Sequence, residues 1–202
     1  MDKKLISLGM LLSWLYISSN ANNVALVPQT GQTSTVPINP APTGSDGALQ
    51  KGKAWPTTRF VLDARGNCIT DTLTGLMWVK DLNTVNGGNP LNWSTALTTA
   101  NNGTWCGYDD WRVPNINELN SLVNYAYASQ ANWLMYGSGS PGSPACNGAC
   151  FVNIQVMTYC WSSSSSADNP NIAWDVSMSS GYISFSNKSS SGNQLFPVRG
   201  GQ

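Results

Sequence analysis

The segment Cys106–Leu119 constrains the fold more than any other part of this chain. It reads Cys-Gly-Tyr-Asp-Asp-Trp-Arg-Val-Pro-Asn-Ile-Asn-Glu-Leu, so a cysteine, two aromatic residues, an acid pair, an arginine and a helix start lie close together. Asn115 follows Pro114, and Glu118 comes three residues later, which is the spacing of a capping box. The pattern predicts a helix with a buried stripe formed by Ile116, Leu119, Leu122, Val123 and Ala126.

The first residues predict a signal peptide over residues 1–21. Lys3 and Lys4 form a basic start, an apolar run follows from Leu5 to Ile17, and small residues precede the expected cleavage point after Ala21. A membrane anchor is the alternative, but it needs about 20 apolar residues. We therefore expect a secreted or surface-exposed protein with no transmembrane segment after cleavage.

Composition divides the rest of the chain into two parts. Residues 22–58 are rich in Pro, Thr, Gly, Gln and Ser, which predicts a flexible linker. Residues 59–202 are expected to form one domain. Two helices come early in it, the first capped by Asn92, and antiparallel strands come mainly late, so the order favours an α+β fold with two helices packed on short antiparallel sheets and long loops. Strands are predicted at 60–62, 68–70, 75–79, 154–162, 172–178, 182–185 and 195–199.

Charge and histidine content exclude several functions. The chain has ten basic residues, ten acidic residues and no histidine. A nucleic-acid partner would need a basic stripe, so it is not expected. Without histidine there is no Ser-His-Asp triad, and a nucleophilic cysteine lacks its usual base. Glu118 is the only glutamate, and nothing nominates the second carboxylate that glycosidases use. We expect no enzyme activity and no cofactor.

Five cysteines follow the predicted signal peptide, and export favours disulfides among them. Cys146 and Cys150 are close enough to close a small loop, and Cys68 with Cys106 is a second expected pair, although sequence alone leaves the connectivity open. The odd count leaves one thiol, and we expect Cys160 to be a buried free cysteine. Zinc is not expected, because the cysteine spacings match no ligand pattern.

Four segments of this chain, in order, resemble a bacterial family, the domain named after the C-terminal domain of Legionella collagen-like proteins. They are Asp71–Lys80, Cys106–Leu119 with Ser121–Leu122, Trp161–Ser163 and Val198–Gly201. The resemblance implies a fold related to C-type lectins and to formylglycine-generating enzymes. It also implies an exported or surface protein, since some members act as adhesins for sulfated polysaccharides. A homo-oligomer is compatible with it, although no collagen-like triplets precede this domain.

The acid pair Asp109–Asp110, with Arg112, is the first candidate ligand site. Its carboxylates could bind sugar hydroxyls or Ca²⁺, but calcium takes about six to eight oxygen ligands and the pair supplies too few alone. We therefore expect no metal site. The structural alternative is that Arg112 pairs with a buried carboxylate while Trp111 fills the core.

The loop 136–151 is the second candidate, because an inserted long loop commonly carries the ligand site in C-type-lectin-like folds. Trp133, Tyr136 and Trp174 are aromatic residues that could stack on sugar rings there. The alternative is a passive surface loop. The expected function is an adhesin-like, non-enzymatic domain that binds a glycan, including sulfated polysaccharide, or a surface protein. An enzyme on a formylglycine-generating-enzyme-like scaffold and a structural oligomerising subunit are the alternatives.

Overall fold

The structure, a computed structural model, describes residues 27–137 and 149–200. Its helices are α1 (Asp46–Leu49), α2 (Trp93–Asn101), α3 (Ile116–Asn120) and α4 (Gln130–Tyr136). Its strands are β1 (Phe60–Leu62), β2 (Cys68–Asp71), β3 (Leu76–Val79), β4 (Tyr159–Ser165), β5 (Ile172–Ser177), β6 (Ile183–Asn187) and β7 (Val198–Arg199). Short 3₁₀ turns occupy Leu82–Thr84 and Asn86–Gly88. None of the helices in the described ranges is long and apolar enough to cross a membrane.

The strands form two antiparallel sheets, which confirms the predicted α+β class. One sheet has the order β1-β2-β3-β7 and the other has the order β4-β5-β6. Strand β7 pairs with β3, with Val198 opposite Trp78, so the end of the chain closes the first sheet. Strand β4 begins later than predicted, because the backbone N–H of Thr158 donates to the carbonyl of Gln155 and makes a turn there.

The core between the elements is strongly aromatic. The rings of Trp78, Phe196 and Phe151 meet edge to face, with 5.2 Å between the centroids of each successive pair. Trp161 is fully buried, and its Nε1 donates to the carbonyl of Leu91 at 2.8 Å. Trp161 therefore fills a large volume and still finds a hydrogen-bond partner, whereas Trp78 Nε1 is buried without a partner in the described residues. Both are packing residues of this core.

Both predicted helix caps are present, but the second helix is short. Asn92 accepts from Thr95 N, and Asn115 and Glu118 form the predicted capping box. Helix α3 ends at Asn120, because Asn124 begins a new hydrogen-bonded turn with Gln130. Helix α4, which follows, was not predicted.

The described part of the expected linker, residues 27–58, packs on the domain. We call it the amino-terminal strap. The backbone of Gln29 donates to Lys53, and Tyr125 N donates to Thr30 O at 2.9 Å. The ring of Trp55 lies 5.5 Å from that of Trp133. Backbone hydrogen bonds and one aromatic anchor hold the strap in place, and composition does not reveal them. The predicted signal peptide lies outside the described residues.

A buried ion pair lies where the strap meets the domain. Arg59 donates to both carboxylate oxygens of Asp71, at 2.9 and 2.7 Å, and to the carbonyl of Ser121. Its guanidinium also lies over the rings of Trp55 and Phe60, at 4.4 and 4.9 Å. One side chain therefore connects the strap, β1, β2 and the end of α3.

The cysteines follow the prediction wherever they are described. Cys68 and Cys106 form a disulfide, and Cys160 is free and buried. Burial, with the Asp175 carboxylate nearby, raises the pKa of the Cys160 thiol well above its ordinary value. Cys150 is disulfide-bonded, and its predicted partner, Cys146, lies outside the described residues.

Candidate functional site

A surface cleft of about 420 Å³ lies beside the Cys68–Cys106 disulfide. We call it the Trp105 cleft. Its polar lining residues come from three separate parts of the chain and are Asn67, Lys80, Asp81, Thr84 and Thr104. Its apolar lining includes Trp105 and Val152. The volume falls within the range of small-ligand pockets, which is about 300–1,000 Å³.

A tight turn at Trp105–Tyr108 forms one wall of the cleft. The two end residues exchange backbone hydrogen bonds of 3.2 and 3.0 Å. Cys106 and Gly107 both have positive φ, 57° and 81°, as a type I′ turn requires. The disulfide to Cys68 holds the cysteine in this conformation. Gly107 leaves room for Arg65, because a Cβ at this position would lie 2.9 Å from Arg65 Nη1.

The indole of Trp105 is held rigidly. Its Nε1 donates to Thr84 O at 3.2 Å, and its ring meets that of Trp111 edge to face, with 5.8 Å between centroids. The six-membered ring covers Gly103, where a Cβ would lie 1.8 Å from a ring carbon. Glycine is therefore required at 103, and the half-buried indole presents a fixed surface to the cleft.

The Asp81 carboxylate, which lines the cleft, already accepts hydrogen bonds from other groups of the protein. Asp81 Oδ1 accepts from Asn83 N at 2.9 Å and from the side chain of Asn153 at 2.6 Å. Lys80 is positioned by its backbone, which accepts from Val152 N at 2.9 Å and donates to Asn67 O at 3.1 Å. The backbone thus places the Lys80 side chain at the cleft without an ion pair to Asp81.

Asp63 shapes the rim next to Arg65. Burial alone would raise the pKa of Asp63, but hydrogen bonds from the backbone N–H groups of Cys68, Asn67 and Arg65, together with the Arg65 charge, hold that pKa below its ordinary value. The bonds from Asn67 and Cys68 measure 2.7 and 2.8 Å. They order the loop that carries Arg65 and Asn67 to the cleft.

Most lysine and arginine side chains in the described residues donate hydrogen bonds to other groups of the protein. Those whose side chains donate to carboxylates, hydroxyls or backbone carbonyls are Lys53, Arg59, Arg112, Lys188 and Arg199. Within residues 27–137 and 149–200, the side chains of Lys51, Arg65 and Lys80 make no hydrogen bond or ion pair. Lys80 lines the Trp105 cleft, and Arg65 lies at its rim against Gly107.

The family model described as the Lcl C-terminal domain matches residues 67–199. This chain belongs to the Lcl C-terminal domain family. A search of curated proteins finds no match. The matched range of the Lcl C-terminal domain includes every lining residue of the Trp105 cleft except Gly66. The strap and Arg59 lie before it, so this Lcl C-terminal domain is extended at its amino-terminal side by packed residues.

In this Lcl C-terminal domain, the acid pair Asp109–Asp110 does not form one site with Arg112. Asp110 binds Arg199 through two hydrogen bonds of 2.6 and 3.1 Å, and those hydrogen bonds hold the pKa of Asp110 below its ordinary value. Arg112 pairs instead with Glu118 at 2.6 Å. Asp109 is exposed. Arg112 therefore pairs with a half-buried carboxylate, that of Glu118.

The three predicted aromatic residues also lie apart. Trp133 is packed between Trp55 and Phe60, and Tyr136 ends α4. Trp174 meets Phe185 on β6, with 5.9 Å between ring centroids. No ring contact joins Trp133, Tyr136 and Trp174 to one another within the described residues. Most of the loop 136–151 lies outside the described residues, so its role as a ligand loop stays a prediction.

Sequence reasoning missed the residues that make the cleft. Lys80 ends one of the family segments, and Trp105 directly precedes another. That adjacency was the only signal available, because the cleft is assembled from distant parts of the chain. Within the described residues, no three His, Cys, Asp or Glu side chains are grouped so that they could hold a metal ion.

Proposed function

We propose that this Lcl C-terminal domain is an exported, non-enzymatic binding module that recognises a glycan in the Trp105 cleft. We further propose that the glycan carries an acidic group, a sulfate or a carboxylate. One observation carries the proposal: two of the three cationic side chains without protein partners in the described chain, Arg65 and Lys80, lie at this cleft.

The low content of basic residues does not oppose an acidic ligand once their positions are considered. A unit charge about 4 Å from another gains about 4 kcal/mol at the effective dielectric near a protein surface. Neither Arg65 nor Lys80 forms an ion pair within the described residues. The Arg65 charge also acts on Asp63, so part of this attraction is available to a ligand. The rigid indole of Trp105 and the nearby hydroxyl and amide groups can contact the sugar ring.

The same cleft favours binding over hydrolysis. Retaining and inverting glycosidases use two carboxyl groups, and Asp81 is the acidic residue among those lining the cleft. Its Oδ1 already accepts two hydrogen bonds from the protein. These hydrogen bonds give Asp81 a structural role in holding the walls of the cleft, and they explain the carboxylate without a catalytic role.

Titration calorimetry with a sulfated disaccharide and with its desulfated counterpart tests the proposal. We expect the unmodified protein to bind the sulfated sugar more tightly and to lose that preference above about 0.5 M salt, where the screening length falls to a few ångströms. A double variant with Arg65→Ala and Lys80→Ala should bind at least tenfold more weakly at low salt.

Lys51→Ala is the matched control, because it removes an exposed cation that does not line the cleft. It should leave the affinity unchanged. An equal loss in Lys51→Ala and in Lys80→Ala would mean that binding follows overall charge and would contradict a defined site.

A further inference from the structure

A second groove, of about 570 Å³, lies between the strap and helix α3. The strap residues 27–30 line one wall, and Asn117, Asn120, Val123 and Tyr125 line the other. It shares no lining residue with the Trp105 cleft, and no charged residue lines it. We call it the strap groove. A groove without charged lining residues offers no partner for a charge on the ligand, so it favours an uncharged ligand.

Two side-chain amides that line the strap groove make no hydrogen bond within the described residues. Asn117 and Asn120 are three residues apart on α3, so they lie on the same side of the helix. Neither amide hydrogen-bonds to another group of the described chain, and Asn120 Oδ1 is buried without a donor. A carboxamide offers both a donor and an acceptor, which is the complement of a peptide group.

The strap wall has two backbone groups without hydrogen-bond partners. Gln29 N donates to Lys53 O at 3.0 Å and Lys53 N donates to Val27 O at 2.9 Å, so one edge of this extended segment is filled. Thr30 O, on the other edge, accepts from Tyr125 N. The carbonyl of Pro28 and the N–H of Thr30 make no hydrogen bond within the described residues. Backbone groups of alternate residues in an extended chain point the same way, so both face the Tyr125 side, where the groove lies.

We infer that the strap groove binds an extended, uncharged segment of a partner polypeptide. The segment adds as a strand through the unpaired carbonyl of Pro28 and N–H of Thr30, and the amides of Asn117 and Asn120 bind its peptide groups. Its alternate side chains contact Val123 and Tyr125. Main-chain hydrogen bonds with pockets for alternate side chains are the general mode of strand addition. This inference does not depend on the glycan proposal.

The test uses the ¹⁵N-labelled protein and two matched sets of synthetic heptapeptides. One set consists of uncharged, valine- and threonine-rich sequences, and the other carries lysine or glutamate at alternate positions. We expect uncharged peptides to shift the side-chain amide resonances of Asn117 and Asn120 in a saturable way, with the charged set at least tenfold weaker. An Asn117→Ala/Asn120→Ala variant should lose at least tenfold in affinity.

Asn101→Ala, at an exposed position on α2 outside the groove, is the matched control and should bind as the unmodified protein does. Asn117→Asp, also at an exposed position, keeps the test decisive if replacing Asn120 unfolds the domain, and it should weaken binding as well. The inference is overturned if no uncharged peptide shifts these resonances, if peptide affinity is the same in the variants, or if neutral oligosaccharides bind there and peptides do not. The Arg65→Ala/Lys80→Ala variant should bind peptides normally, which separates this inference from the glycan site.

Discussion

Replacing Asp71 by asparagine is expected to destabilise the domain by about 3–5 kcal/mol, which is the typical cost of breaking a buried ion pair by removing one partner. Both side chains are almost completely buried, with 5% of Arg59 and none of Asp71 exposed. Asparagine keeps the shape but removes the counter-charge, and arginine cannot shed its proton in a protein. A loss of that size is a large part of the 5–15 kcal/mol that stabilises a typical domain.

Urea unfolding followed by tryptophan fluorescence measures the effect. With an m-value of about 2 kcal/mol/M, the midpoint should fall by about 1.5–2.5 M. Asp110→Asn is the control, since it breaks the Arg199 pair at a position where 56% of the aspartate side chain is exposed. Exposed pairs contribute little, so its midpoint should stay nearly unchanged.

A double variant, Arg59→Met with Asp71→Leu, separates charge from packing. Well-packed apolar replacements of a buried ion pair are often neutral or stabilising, so this variant should recover much of the stability lost in Asp71→Asn. Equal, small midpoint shifts for Asp71→Asn and Asp110→Asn would refute the view that the buried pair holds the strap, β2 and α3 together.

Three other outcomes test separate parts of the molecule. Replacing Cys68 and Cys106 by alanine should reduce the free energy of unfolding by about 4 kcal/mol, from the chain entropy of a loop with a sequence separation of 38, and a urea midpoint equal to that of the oxidised protein would contradict this. Burial raises the pKa of Asp175 above its ordinary value of 3.8, so its folded form holds the proton more tightly. Its contribution to stability is therefore complete below pH 3.8 and is lost as pH rises through the folded-state pKa; urea titrations across pH should show this fall, and Asp175→Asn should remove it. Trp55→Ala should cost about 1–2 kcal/mol in buried apolar surface and make the strap sensitive to limited proteolysis, whereas unchanged cleavage would show that its hydrogen bonds suffice.

The features that sequence predicted correctly depend on short-range chemistry. The Asn92 cap and the capping box of Asn115 and Glu118 involve residues three positions apart, so their spacing is visible in the chain. The limits of α3 and β4 were predicted less well, because turns at Asn124 and Thr158 compete with the regular elements for backbone hydrogen bonds.

The contacts of the strap cannot be read from its composition. Its content of Pro, Thr, Gly and Ser is typical of a linker, yet its backbone groups find partners at Lys53 and Tyr125, and Trp55 packs against Trp133. These contacts join residues far apart in the chain. Local composition contains no information about such partners, so the docking of the strap became visible only in the folded protein.

Sequence by itself indicated the family and the α+β class, and it made the Cys68–Cys106 pair and a buried, free Cys160 expectations that the structure then confirmed. Each of these follows from local spacing, from cysteine chemistry or from motifs in a recognisable order. Only the tertiary structure decided which cations stay unpaired. Arg59, Arg112 and Arg199 look equivalent to Arg65 and Lys80 along the chain. Folding gives the first three an ion pair with a carboxylate, and it leaves Lys80 lining a cleft and Arg65 next to the lining residue Gly66. Ion pairing acts over a few ångströms in space, and the separation of residues along the chain does not set that distance.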